Sequence, residues 1–327
     1  MSLVLNELKQ AFATLQPAAA LVGVSKEAAV MREFAERAAV SGHSVLLRGE
    51  TGTGKDHLAE LIHAHSGERR PFVLVDCGGL PEELAESELF GNVKGAFTGA
   101  VRDRLGLVRQ AEGGTLFLNE IANMSLHMQA KFLRLLDKKS FRSVGGAQEI
   151  PVNTRIIAAT NADLESLVHR REFREDLYYR LDVVTFTLPP LRERKADAVP
   201  LALHFLWQEN ASPKGFSDGA LSLLSAHTWP GNVRELKNTV SRAVFMAGKE
   251  EQISAEHICF SGRDSSIDTT AFGESENSFP TFKEMEKKYI MALVDRVRGN
   301  VAAAARISGF CRKTVENKIR MYDSTGR

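Results

Sequence analysis

The chain is 327 residues long, 43% hydrophobic and 25% charged, with 42 Lys+Arg against 41 Asp+Glu. These ordinary fractions exclude a wholly disordered or fibrous chain, and the length suggests two or three domains. No apolar run approaches the ~18 residues of a membrane span, and MSLVLNELKQAF lacks the basic, apolar and small-residue order of a signal peptide. Cys77, Cys259 and Cys311 lie far apart and form neither a metal spacing nor a disulfide framework, which points to a reduced, cytoplasmic protein. The near-neutral total hides an asymmetry. Residues 281–327 hold 11 Lys+Arg and 5 Asp+Glu, a net of +6, which leaves the other 280 residues at −5. A basic tail on a mildly acidic body suits a polyanion-binding module, although a solvated basic helix face gives the same count.

Residues 1–20 read as a short helical lead-in. From 21 to about 188, apolar runs (Ser44–Arg48, Phe72–Val75, Thr115–Leu118, Thr154–Ala159) alternate with helix-period segments. That alternation predicts an α/β domain with a parallel sheet covered by helices. From 189 to 260 the pattern is helical, with amphipathic segments at Val199–Gln208 and Asp218–Ala226 and a further helix from Gly231. Residues 261–280 contain five Ser, two Thr and four acids, the composition of a flexible linker. Helical periodicity resumes from Phe282, so 281–327 form a last, all-α domain. Trp207 and Trp229 read as core of the helical segment, and His63 and His65, two apart on a helix, face different directions and make no metal pair.

Gly49-Glu50-Thr51-Gly52-Thr53-Gly54-Lys55 follows an apolar strand and opens a helix with Leu58, Leu61 and Ile62 on one face. Glycines there let backbone N–H groups turn around phosphate oxygens, Lys55 supplies charge to the β- and γ-phosphates, and the helix N-terminus adds its positive end. The generic loop continues with a Ser or Thr that ligates Mg²⁺; here the residue is Asp56. A second strand of such a nucleotide site should end in acids, one for the metal and one to orient water. Gly113–Glu120 has that shape, but Asn119 occupies the metal-side position, where an amide oxygen can ligate Mg²⁺ or its waters without adding negative charge. Glu120 remains available as a general base; an exposed acid at a strand end is the plain alternative. The expected cofactors are ATP and Mg²⁺, with Asn119, Asp56 and Glu120 as the metal-side oxygens.

Gly95-Ala96-Phe97-Thr98-Gly99-Ala100 is the GAFTGA signature. With Glu88–Gly91, Gly113–Glu120, Phe141–Gly146, Ala159–Leu164, Phe173–Leu181, Leu191–Arg194 and Trp229–Leu236 in this order, the chain resembles the sigma-54-dependent transcription activators. The resemblance covers about residues 21–250 and the C-terminal segment. It implies an AAA+ ATPase that assembles from dimers to a ring, expected to be a hexamer, and remodels the closed complex of sigma-54 RNA polymerase. The GAFTGA residues would then form the polymerase-contacting loop, with Phe97 as an apolar contact and Thr98 as a hydroxyl. Arg174 and Arg180 look like arginine fingers directed at a neighbour's γ-phosphate; a local salt bridge to Glu172, Glu175 or Asp176 is the alternative. Arg234 resembles the sensor II arginine, and Thr160-Asn161 resembles sensor I. Asp76 stands where the family often has an Asn that holds the catalytic glutamate, and an acid there would repel Glu120.

Gly299-Asn300-Val301 opens an Ala-rich helix through Ile307, and after Ser308-Gly309-Phe310 a second, basic helix runs from about Arg312 to Tyr322. Helix, Gly-containing turn and basic helix form the helix-turn-helix pattern, and this run resembles the Fis-type module. Arg312, Lys313, Thr314, Asn317, Lys318 and Arg320 sit where a recognition helix meets phosphates and base edges, and Phe282–Val297 would pair two copies on enhancer DNA. The alternative is a basic helical packing domain. About twenty residues ahead of the ATPase module leave no room for a receiver domain, so control is expected in trans, by a binding protein or through expression. Because of Asn119, a second function stands beside the first: a nucleotide-binding but hydrolysis-impaired regulator or co-activator, working in a mixed ring with a paralogue.

Overall fold

The four apolar runs become strands, joined by a fifth that the sequence pattern did not separate from its neighbours. The computed structural model describes residues 21–67, 70–79, 82–97, 100–209, 213, 215–260, and, toward the C-terminus, 294, 300, 301, 304, 318 and 319. Its strands are β1 (Val45–Arg48), β2 (Phe72–Asp76), β3 (Thr115–Asn119), β4 (Ser140–Phe141), β5 (Ile150–Pro151), β6 (Arg155–Thr160) and β7 (Val184–Thr187). Five of them form one parallel sheet in the order β2-β3-β6-β1-β7, while β4 and β5 make a small antiparallel pair. β7 is the unexpected edge strand. It is four residues long, and only Val184 and Phe186 turn inward, Phe186 stacking on Phe34 at 4.5 Å between ring centroids.

Both faces of the sheet are covered, as a parallel sheet requires. The period-two alternation of each strand divides its side chains between two apolar layers. Leu46, Leu116, Leu118, Ile156 and Ala158 face one layer; Val45, Leu47, Phe117, Ile157 and Ala159 face the other. The second layer is closed by α1 (Lys26–Ser41) and α2 (Lys55–His65), through Met31, Ala35, Leu58 and Ile62. Ser25 caps α1 by accepting from Ala28 N, and Gly42 at φ +66° ends it. The first layer is closed mainly by α5 (Leu126–Lys138), which follows α3 (Glu82–Phe90) and α4 (Leu107–Gln110), and then by α6 (Leu164–His169) and α7 (Glu175–Leu181). Phe132, Leu135 and Leu136 of α5 are buried, each worth about 1.5–3 kcal/mol by area.

A separate apolar core gathers α8 (Ala198–Gln208), α9 (Asp218–Ala226) and α10 (Asn232–Ala247) around Trp229, whose indole donates to Leu224 O at 3.0 Å. Trp207 packs partly buried against it, so both tryptophans serve as core. The entering chain is tied to this helical subdomain. Asp197, fully buried, accepts from Val24 N, Ser25 N and Ser25 Oγ at 2.7–2.8 Å.

Residues 265–327 form a second unit. Within it, Ala304 is fully buried among Val294, Val301 and Ile319, and its amide bonds Asn300 O at 2.9 Å. The lead-in, the linker and Arg312, Lys313, Thr314, Asn317 and Arg320 lie outside the described residues. No helix among the described residues is long and apolar enough to cross a membrane.

Candidate nucleotide site and partner loop

The carboxyl ends of β1, β3 and β6 deliver Gly49, Asn119-Glu120 and Thr160-Asn161 to one edge of the sheet, the usual ligand crevice of such folds. A cavity of about 480 Å³ opens there, lined by the loop from Thr51 to Asp56, by Asn119, Glu120 and Arg234, and by Leu21, Val22, Met31, Leu201 and Phe205. The polar end suits phosphates and the apolar end a flat base.

The loop's backbone needs its glycines. Gly52 and Gly54 lie at φ +80° and +102°, and a Cβ on Gly52 would come within 2.6 Å of Gly231 O. Gly54 leads directly into α2, whose free amides face the cavity. Lys55 is 5% exposed; its Nζ donates to Gly49 O at 2.9 Å and lies 3.6 Å from Glu120 Oε1. Burial lowers its pKa, and the charges of Glu120 and Asp56 oppose that shift. Burial pushes the half-buried Asp56 carboxyl up, while Lys55 and Arg234 pull it down. An anionic phosphate and a cation in this cavity would relieve both penalties.

Glu120 takes a left-handed backbone, φ +51°, a strained geometry for a side chain with a Cβ. Its Oε2 accepts from Asn161 N at 3.1 Å, and Asn161 Nδ2 donates to Thr51 Oγ1 at 2.9 Å. The strand-end Asn therefore bridges the phosphate loop and the acid. Thr160 is buried, its Oγ1 accepting from Ala162 N. Asp76 is paired in register with Asn119, but its carboxylate accepts from Gly78 N at 3.1 Å. Among the described residues the Asp76 carboxylate is held by this local turn and makes no hydrogen bond to Glu120.

Glu50, part of the phosphate loop by sequence, turns its side chain toward the helical subdomain. Its carboxylate turns to Arg192 Nη1 at 2.8 Å and Asn232 Nδ2 at 3.1 Å. Hydrogen bonding from Arg192 holds its pKa down at about 2. Asn232 Nδ2 bonds Thr51 O as well, its Oδ1 accepts from Leu191 N, and the amides of Val233 and Arg234 point to Gly52 O at 2.9 and 3.3 Å. This set latches the helical subdomain onto the phosphate loop and places Arg234 at the cavity. Arg194, 3% exposed, adds a bond from Nη2 to Thr53 O at 2.6 Å. Arg192, Arg194 and Asn232 join the helical subdomain to the loop, and Asp197 ties it to the entering chain. The sequence carries the first three inside the motifs Leu191–Arg194 and Trp229–Leu236, which assign them no partner.

Arg174 and Arg180 do not line the cavity. Arg174 holds Asp176 through Nε and Nη2 at 3.0 and 2.7 Å; Arg180 holds Asp137 at 3.1 Å, and both are exposed. In the isolated chain the local salt bridge to Asp176 is therefore present.

The GAFTGA segment lies between α3 and α4. Its stem is fixed by bridges from Asn92 to Arg104 and Val144, and by Arg104 gripping Glu88. Gly95 turns at φ +81° and bonds Ala100 O at 2.8 Å. Phe97 is 43% exposed, with Val101 and Leu105 exposed on the descending side. Thr98 and Gly99 lie outside the described residues.

Three family profiles match in the order the architecture requires: the Sigma-54 interaction domain over residues 21–187, the AAA+ ATPase lid domain over 192–272, and the bacterial regulatory protein, Fis family, over 281–322. The chain is 43% identical over 296 residues to the regulatory protein AtoC of Escherichia coli, covering 87% of this chain and 63% of AtoC. It is 41% identical over 321 residues to the transcriptional regulatory protein ZraR of Klebsiella oxytoca, covering 96% of this chain and 72% of ZraR. The Nif-specific regulatory protein of Azotobacter vinelandii matches at 43%, over 87% of this chain and 55% of its own length. The chain thus spans a little over half to about three-quarters of these relatives. Among solved structures, NtrX of Brucella abortus in complex with ATP superposes with a TM-score of 0.68 at 32% identity, covering 97% of this chain and 72% of NtrX. By these matches, and by its parallel sheet, phosphate loop and lid, the chain belongs to the sigma-54-dependent transcriptional activators, combining an AAA+ nucleotide-binding domain with a Fis-type DNA-binding domain.

Proposed function

We propose that the chain hydrolyses ATP within a ring of copies and uses that work to remodel a sigma-54 RNA polymerase complex held near its enhancer DNA. The observation that carries this reading is a site split in two. Lys55, Glu120 and Arg234 line one cavity, with Asn161 bonded to Thr51 and Glu120 of its lining, while Arg174 and Arg180 stand outside it on the surface. An isolated chain so arranged can hold a nucleotide with Lys55 and Arg234 but leaves Arg174 and Arg180 outside its own cavity. A neighbour's fingers would supply cations for the charge that develops on the transferred phosphoryl, a contribution of about 10³–10⁵ in rate in other NTPases. In this scheme Lys55 and Arg234 hold the phosphates and the apolar lining of Val22, Met31 and Leu201 grips the base. Glu120, kept in place by Asn161 N–H, orients the attacking water and takes its proton.

The donor set fits a hard cation: the side-chain oxygens of Asp56, Asn119 and Glu120 line one end of the cavity. Asp56, Asn119 and Glu120 would hold Mg²⁺ there, and the ion would supply positive charge beside the phosphates. Asn119 brings one negative charge fewer than a carboxylate, which favours a second reading: a chain that binds nucleotide and needs a competent paralogue in a mixed ring. Phe97, raised on its braced stem, is the proposed contact to sigma-54, and Lys318 with its neighbours the contact to DNA.

Complementation tests the split site. Arg174→Ala/Arg180→Ala chains and Lys55→Ala chains should each be inactive alone. Mixing them should restore ATP turnover, because the first supplies sites and the second fingers. No recovery in the mixture, with both variants assembling normally, would contradict the proposal.

A further inference from the structure

β1 ends on Arg48, the residue before the first glycine of the phosphate loop, and its guanidinium reaches three side chains. Nη2 donates to Tyr178 Oη at 3.0 Å and lies 3.5 Å from Asp182 Oδ1; Nη1 is 3.2 Å from Glu165 Oε1. The Tyr178 hydroxyl is itself 2.8 Å from Glu165 Oε1 and 3.1 Å from Asp182 Oδ2. The Tyr178 ring is buried, with the Arg48 guanidinium carbon 5.6 Å from its centroid.

Each member belongs to a different working segment. Arg48 adjoins Gly49 of the loop. Glu165 lies in the first turn of α6, four residues past Asn161, and its amide donates to Asp163 Oδ1. Tyr178 sits on α7 between Arg174 and Arg180, its amide bonded to Arg174 O at 3.0 Å, and Asp182 closes the same helix by bonding Tyr178 O. A phenol carries one proton. Having accepted from Arg48, it can donate to Glu165 or to Asp182 but not to both. Burial, reinforced by Glu165, raises its pKa, so the proton stays. The Tyr178 proton therefore has two alternative acceptors, Glu165 on α6 and Asp182 at the end of α7. A coupling element needs such alternatives.

We propose that Arg48, Glu165, Tyr178 and Asp182 form a relay that sets the position of Arg174 and Arg180 according to whether the chain's own phosphate loop is occupied. They are positioning residues, touching neither nucleotide nor reacting atoms. A nucleotide that shifts Gly49 and Asn161 shifts Arg48 and Glu165 with them, and the Tyr178 proton and α7 follow. The relay rests on the reading of Arg174 and Arg180 as fingers acting on a neighbouring copy. On that reading, filling one site poses fingers over the next, so sites fill cooperatively, whether or not hydrolysis is fast.

Binding of a fluorescent, slowly hydrolysed ATP analogue to the full chain, at concentrations where it assembles, measures this directly. The native chain should bind with a Hill coefficient of about 2, and Tyr178→Phe, which keeps the buried ring, with about 1 and a half-saturation changed less than about threefold. Tyr179→Phe, at the exposed neighbour, should behave as native. Arg48→Met should match Tyr178→Phe and provides the same answer should that variant fold poorly. Non-cooperative binding by the native chain, or an unchanged Hill coefficient in Tyr178→Phe and Arg48→Met, overturns the relay. Arg174→Ala and Arg180→Ala separate the two levels. Cooperativity lost in these but retained in Tyr178→Phe removes the relay and keeps the fingers, whereas cooperativity retained in all removes the finger reading itself.

Discussion

Asn232 offers a quantitative check on how the lid is held. It is fully buried at φ +54°, accepts from Leu191 N at 2.8 Å and donates to Glu50 Oε2 and Thr51 O, both at 3.1 Å. Asn232→Gly removes all three bonds while leaving the left-handed backbone accessible. The Leu191 N–H then loses its acceptor at about 1–3 kcal/mol, and the two donated bonds add roughly 0.5–1.5 kcal/mol each, so lid attachment should weaken by about 3 kcal/mol. Asn232→Ala costs about 1 kcal/mol more, because a Cβ at positive φ meets the following carbonyl. At an ordinary helical position Ala is the better residue by roughly 0.5–1 kcal/mol, so the order of the two variants inverts here. The assay is hydrogen exchange of the Val233 and Arg234 amides, which point at Gly52 O across the latch. Exchange should accelerate roughly 150-fold in the Gly variant and about fivefold further in the Ala variant. Native-like protection in both, or Ala protecting better than Gly, would refute the reasoning.

Three further outcomes follow from the same contacts. Arg192 holds the Glu50 carboxyl at about 2 against an ordinary value of 4.5, so its contribution is complete above pH 4.5 and disappears as pH falls toward 2. The stability difference between the native chain and Glu50→Gln should therefore shrink between pH 5 and pH 3 in denaturation series; a constant difference would contradict the latch. Cys77 is buried beside Asp76 and Glu120, and its thiol is pushed up to about 12, chiefly by burial. It should resist iodoacetamide at pH 8 in the folded chain and react on unfolding, with rapid labelling of the native protein as the opposing result. Phe97 is 43% exposed, so Phe97→Ala should change thermal stability by less than about 1 kcal/mol and leave ATP turnover near native. It should abolish activation of a sigma-54 promoter; activation at native level would move the partner contact elsewhere.

The fold was legible wherever local pattern carried it. Apolar runs of four to six residues marked β1, β2, β3 and β6, and the glycines of 49–54 marked the turn between β1 and α2, because both are dictated by residues adjacent in sequence. β7 escaped because its four residues alternate weakly and follow α7 with almost no turn between them. The phosphate loop, Glu120 and the lid arginine were read from motifs. The latch was not: Glu50 meets Arg192 and Asn232 across separations of 142 and 182 residues, and the motifs that contain these residues do not say that they touch. Glu50 sits inside the phosphate-loop motif, and charge complementarity with Arg192 turns its side chain toward the helical subdomain. Asp76 reads as the acid in place of the family's Asn; the turn that follows it, which donates to its carboxylate from Gly78, is a local detail the motif does not carry.

Turnover of ATP by the native chain as a function of its own concentration tests the central proposal most directly. A site completed by a neighbour's arginines predicts negligible turnover per chain when dilute, rising steeply with assembly, and Asn119→Asp raising the plateau without changing that concentration dependence. Turnover that is independent of concentration would contradict a shared site. A native chain silent at every concentration, and active only as Asn119→Asp, would instead make it the nucleotide-binding partner of a mixed ring.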